Sequence, residues 1–183
     1  MAKTRKYEIS TINKIRFDPT NPCEDDIDIR DIAHALSMMT RANGHFTEFY
    51  SVARHSVNCA LEATARGYSK RVALFCLLHD SAESYIGDMT RPLKMHFPLF
   101  SEYEKKLQKV IFSKYATLDI DDDEKEKVKS VDDSLLYHEF LCYHGDKLFD
   151  FTPEIHIDVK DNSKNISETE KEFLCMYEAL KIK

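Results

Sequence analysis

Five cysteines, an odd number with no CxxC pair, are too few and too scattered for a disulfide framework or a thiolate zinc site. They point to a reducing cytoplasm. Cys59, Cys76 and Cys142 fall on apolar helical stripes and read as small core residues. The chain has no apolar run long enough to span a bilayer, and its basic start, MAKTRKYEIS, lacks the apolar core of a signal peptide. It also lacks a basic field. Lys and Arg number 26 against 32 Asp and Glu, a net charge of −6, which excludes a duplex nucleic acid as the expected partner. A small anionic ligand would need a local cluster of cations.

Only 4 Gly and 5 Pro punctuate the 183 residues, and no repeat or low-complexity segment interrupts them, so the chain reads as one mostly helical domain. The segment 1–26 is the least helical: YEISTINKIRF alternates weakly and DPTNP turns, which predicts a short strand or hairpin. Core helices are expected over 27–143, followed by a peripheral loop and a C-terminal helix over 144–183. The first helix should run from Asp28 to an αL cap at Asn43-Gly44, and the second from Thr47 to Arg66. A third should follow Ser69 and reach Ile86. GDMTRPLKMHFP reads as a loop or broken helix, and SEYE at Ser101 as the capping box of a fourth helix running to Tyr115. DIDDDE leads into a fifth, to His144, and Ser167 to Leu180 forms the last.

FCLLHDSAES, Phe75 to Ser84, places ionisable groups inside an apolar helix. Val72, Phe75, Cys76, His79, Glu83 and Ile86 share one stripe at helical spacing, with Asp80 at its edge. Buried charges cost several kcal/mol unless compensated. A second inward histidine, His55, shares a stripe with Val52 and Cys59. In VKSVDDSLLYHEF the helical phase turns Asp132 towards the apolar stripe and Asp133 away from it. Two imidazoles and two carboxylates suit one divalent ion such as Mn, Fe, Co, Ni or Zn.

The ordered set His55, His79-Asp80, Asp132 resembles the HD-domain metal-dependent phosphohydrolase superfamily. GHFTEFYSVARHSV, FCLLHDSAESYIGDMTRPLK and VKSVDDSLLYHE resemble its compact bacterial and phage 5′-deoxyribonucleotidase-like branch, over residues 27–143. The resemblance implies an all-α, single-domain HD bundle and a homodimer. It implies His55, His79, Asp80 and Asp132 as metal ligands, and Glu83 as the carboxylate that orients or activates water. It also implies Arg41 and Lys94 at the substrate phosphate and Asp88 at the sugar hydroxyl. Two positions depart from the branch. Arg54 stands where an acidic or amide residue is usual, and Thr90-Arg91 where many relatives have proline and a small residue.

The expected activity is metal-dependent hydrolysis of a nucleotide phosphate ester, foremost a (deoxy)nucleoside 5′-monophosphate. The alternatives are a deoxynucleoside triphosphate phosphohydrolase and a metal- and nucleotide-binding module without turnover. A two-iron oxygenase would need further histidines in register, which the sequence does not supply.

Overall fold

The computed structural model describes residues 8–116, 120–159 and 165–182. It is mostly helical, with one short antiparallel hairpin. Strands β1 (Ile9–Ser10) and β2 (Arg16–Phe17) pair Ile9 with Phe17 and Ser10 with Arg16. Asn13 in the connecting turn donates twice to Asp31 Oδ1, from its backbone N at 3.0 Å and from Nδ2 at 2.7 Å. Phe17 is fully buried against the Tyr85 ring, 4.3 Å between centroids, which fastens the hairpin to the helices.

Helix α1 (Ile29–Met38) is capped by the Asp28 side chain, which accepts from Arg30 N. The expected run to Asn43-Gly44 does not occur: α1 stops at Met38, and the chain turns extended. Arg41 N donates to Tyr50 O at 2.8 Å and Val52 N to Met39 O at 3.1 Å, so this stretch pairs with the start of the next helix. The left-handed residues form a separate 3₁₀ turn, Arg41–Gly44, with φ of +53° at Ala42, +49° at Asn43 and +77° at Gly44. Such a conformation costs Ala about 1–2 kcal/mol.

Helix α2 (Val52–Ala65) begins later than Thr47, with Ser51 as its N-cap. Tertiary contacts claim the intervening residues. Phe46 and Tyr50 stack among Phe140 and Tyr143, and Thr47 N donates to Tyr143 O at 2.9 Å. Helix α3 (Lys70–Leu78), capped by Ser69, is buried at every position from Val72 to Leu78. A helix apolar all round sits in a core rather than on its edge.

The third helix does not continue unbroken to Ile86. After Leu78 the chain tightens into i→i+3 hydrogen bonds, Ser81 N to Leu78 O and Glu83 N to Asp80 O, both 3.0 Å, before the single turn α4 (Glu83–Ile86). Gln108 compensates this break. Its Nε2 donates to Leu78 O at 2.7 Å, and its Oε1 accepts from Ala82 N at 3.0 Å.

The expected loop contains one helical turn, α5 (Arg91–Lys94). Helix α6 (Pro98–Ala116) opens at Pro98, a residue suited to a first turn, so SEYE lies inside it rather than capping it. Helix α7 (Asp122–Tyr143) starts with a capping box between Asp121 and Glu124, and α8 (Ile166–Leu180) with one between Asn165 and Glu168. Residues 144–159 between them contain no helix or strand. Helix α2 contacts α1, α3, α7 and α8, so its buried face lies at the centre of the bundle. Among the described residues no helix is long and apolar enough to cross a membrane.

Candidate metal centre

Four side chains from three places in the chain converge beside α2: His55 from α2 itself, His79 and Asp80 from the tightened turn after α3, and Asp132 from α7. His55 Nε2 lies 3.3 Å from His79 Nε2, 3.2 Å from Asp132 Oδ1 and 3.8 Å from Asp80 Oδ2. His79 Nε2 lies 3.3 Å from Asp80 Oδ2 and 3.8 Å from Asp132 Oδ1. Bonds of about 2.0–2.2 Å to one ion place neighbouring ligand atoms about 3 Å apart, so these separations fit a shared metal.

Each imidazole is held by its other nitrogen. His55 Nδ1 is 2.7 Å from Glu139 Oε1, and His79 Nδ1 donates to Cys76 O at 2.7 Å. Such bonds orient the ring and leave Nε2 for the metal. Glu139 is fully buried and also accepts from Tyr50 Oη at 2.9 Å and Arg41 Nε at 2.9 Å. Sequence reasoning left Glu139 out. Its signal was the stripe that it shares with Asp132, an acid that burial obliges to find partners.

The charges tell the same story. Burial alone would lower the His79 pKa, but the Asp80 and Asp132 carboxylates overcome it and raise it to about 9. Burial opposes ionisation of Asp80, Asp132 and Glu139 as well. Each is nevertheless held below the usual carboxylate range, by the facing histidines and, for Asp80 and Glu139, by Arg41. The carboxylates demand positive charge at the point where the two Nε2 atoms meet. A divalent ion held there would supply it and displace the proton.

Cys59 stands closer to this centre than its reading as a core residue suggests. His55, Cys59 and His79 offer donor atoms within 4.8 Å of one another and could hold a metal ion. The thiol Sγ is 3.4 Å from His55 Nε2 and 3.9 Å from Nδ1, nearly equidistant, so it packs against the ring rather than beyond Nε2. Burial, with Asp132 nearby, pushes its pKa well above the usual thiol value.

A cavity of about 350 Å³ opens beside the centre. Arg41, Asp80, Glu83, Asp88, Arg91, Lys94 and Asp132 form its polar side; Leu136, Phe140 and Leu148 form an apolar one. Arg41 reaches Asp80 Oδ2 with Nη1 at 3.4 Å and Asp132 Oδ1 with Nη2 at 3.5 Å. Glu83 Oε2 is buried and has no hydrogen-bond partner among the described residues. Burial and the neighbouring Asp80 and Asp88 push the Glu83 pKa up to about 10. Asp88 is raised as well, chiefly by burial. Lys94 Nζ donates to Glu104 Oε1 at 2.5 Å and lies 3.9 Å from Glu83 Oε1. All eight residues singled out in the sequence therefore meet at this cavity or at the centre beside it.

Arg54 does not. Its Nη2 donates to Glu172 Oε2 at 2.6 Å and to Thr169 Oγ1 at 3.2 Å, tying α2 to α8, and neither Arg54 nor α8 lines the cavity. This departure is therefore structural. Arg54→Ala is expected to cost about 1.5–3 kcal/mol, the range for hydrogen bonds to charged groups, in chemical denaturation. Metal affinity should stay at the wild-type value.

No family model matches the chain. It is 40% identical over 92 residues to the uncharacterized protein YfdR of Escherichia coli (strain K12), covering 50% of this chain and 49% of that one. It is 44% identical over 84 residues to an uncharacterized protein of Rhodobacter capsulatus, covering 43% of this chain and 42% of that one. The chain thus spans about half the length of the curated relatives it matches.

Proposed function

We propose that this protein is a metal-dependent phosphohydrolase that cleaves the phosphate ester of a nucleotide, foremost a (deoxy)nucleoside 5′-monophosphate. Its ion would be a divalent transition metal held by His55, His79, Asp80 and Asp132. The observation that carries the reading is the position of that donor set on the same cavity as the unpartnered, buried Glu83 Oε2. A binding module without turnover does not account for a carboxyl oxygen buried there with no hydrogen-bond partner among the described residues.

When bound, such an ion neutralises phosphate charge and lowers the pKa of a coordinated water. The chain's own residues do the rest. Glu83 aligns the attacking water through Oε2. Burial and the Asp80 and Asp88 carboxylates raise its pKa to about 10, so it takes the water's proton only once positive charge at the centre favours its ionised form. Arg41, fixed by Glu139, and Lys94, fixed by Glu104, present cations to a phosphate that the net-acidic surface would otherwise repel. Asp88 accepts from a sugar hydroxyl. Leu136, Phe140 and Leu148 give the base an apolar wall.

The test is product analysis by chromatography, with metal-loaded protein offered ribo- and deoxyribonucleoside mono- and triphosphates. Inorganic phosphate plus nucleoside from monophosphates is expected. Tripolyphosphate or pyrophosphate released from triphosphates would replace this substrate assignment, and silence across the panel would remove the nucleotide reading, leaving a non-nucleotide phosphoester or a binding role.

A further inference from the structure

Arg91 is one of the two loop residues that depart from the nucleotidase pattern, and its guanidinium spans two carboxylates on α7. Nη2 donates to Asp132 Oδ2 at 2.7 Å and Nη1 to Asp133 Oδ1 at 3.2 Å. Asp132 is thereby divided. Its Oδ1 faces the two histidine Nε2 atoms, and its Oδ2 is occupied by an arginine whose side chain is 61% exposed. Asp133, the outward member of the pair, is also salt-bridged to Lys129, one turn earlier on α7.

From this geometry we infer that Arg91 is a positioning residue for the metal centre, holding Asp132 so that only Oδ1 is offered to the ion. The inference rests on the metal ligands proposed above but not on the hydrolytic reading. Arg91 touches a ligand's distal oxygen, the place from which outer partners orient a metal-bound carboxylate. It also sits at the start of α5, in the loop that carries Asp88 and Lys94. The Arg91–Asp132 bond therefore joins the substrate-binding loop to the metal-bearing helix.

Charge alone makes the opposite prediction. A cation beside a divalent ion repels it, so removing Arg91 should tighten metal binding if electrostatics dominates. The exposure of the guanidinium weakens that repulsion through solvent and salt screening, whereas the orienting bond at 2.7 Å is direct. Orientation should win.

The experiment is calorimetric titration of metal-free wild type, R91A and D133N with Co²⁺ or Mn²⁺, after circular dichroism has verified each fold. R91A should bind the metal about tenfold more weakly or worse, in the range found for outer partners of metal ligands. D133N, which keeps the Arg91–Asp132 bond, should change affinity far less. Equal or tighter binding by R91A overturns the inference, as do equal losses in R91A and D133N. Because metal affinity is the readout, the result stands whether or not the protein hydrolyses nucleotides.

Discussion

Glu83→Gln is expected to keep its metal and lose about 10²–10⁴-fold in turnover, the usual contribution of a positioned acid or base. Glutamine preserves the shape of a residue that is nearly fully buried. It cannot take a proton from water, however, and its amide would direct a donor where Oε2 now has no partner. Glu83 is not among the four proposed metal ligands, so metal content by elemental mass spectrometry should remain at the wild-type level. This combination separates loss of chemistry from loss of the ion. Full turnover in a metal-loaded Glu83→Gln variant would remove Glu83 from the reaction.

Glu139→Ala should have the largest structural effect. Its carboxylate is fully buried and serves Arg41 Nε, His55 Nδ1 and Tyr50 Oη at 2.7–2.9 Å. Removing one partner from a buried ionic network leaves the remaining charge uncompensated, at a cost of about 3–5 kcal/mol. Asp80 and Asp132 also face Arg41 and moderate that cost, which places the loss towards the lower end. The His55 ring would lose the bond that orients it, so metal affinity should fall about 10–100-fold. Chemical denaturation and metal titration on the same variant check both. Glu139→Gln, able to accept from Tyr50 but uncharged, should fall between wild type and Glu139→Ala. A Glu139→Ala variant with unchanged stability would contradict the network described here.

The parts of the site legible in the sequence are those where a continuous helix preserves phase. Asp132 and Asp133 are adjacent, yet α7 is regular across both, and its period alone turns one towards the histidines and the other towards Lys129. His55 follows the same logic on α2. Phase was no guide where the helix breaks. A stripe drawn from Val72 to Ile86 assumes one helix, whereas the chain tightens at the His79-Asp80 pair, and Gln108, about thirty residues on, satisfies the freed backbone groups. No local signal names a compensating residue so distant.

The starts of α1 and α3 lie where their cap residues place them, whereas that of α2 differs for a related reason. Phe46, Thr47 and Tyr50 look compatible with an early start to α2, but aromatic packing against Phe140 and Tyr143 holds them outside it. Glu139 was visible as a buried acid. That it serves His55 and Arg41 together depends on α2, α7 and the 3₁₀ turn meeting in space. Asn43-Gly44 signalled left-handed backbone in the sequence, but Ala42 joins it without any such signal, and the turn follows a separate extended stretch rather than capping α1.

The most direct measurement of the central proposal is phosphate release from a deoxynucleoside 5′-monophosphate as metal-free protein is titrated with Mn²⁺ or Co²⁺. Turnover should be absent without metal, rise to a plateau at one ion per chain, and vanish in His79→Ala at the same metal concentration. No release from protein verified to hold one ion per chain, or release that persists in His79→Ala, would contradict a phosphohydrolase centred on His55, His79, Asp80 and Asp132.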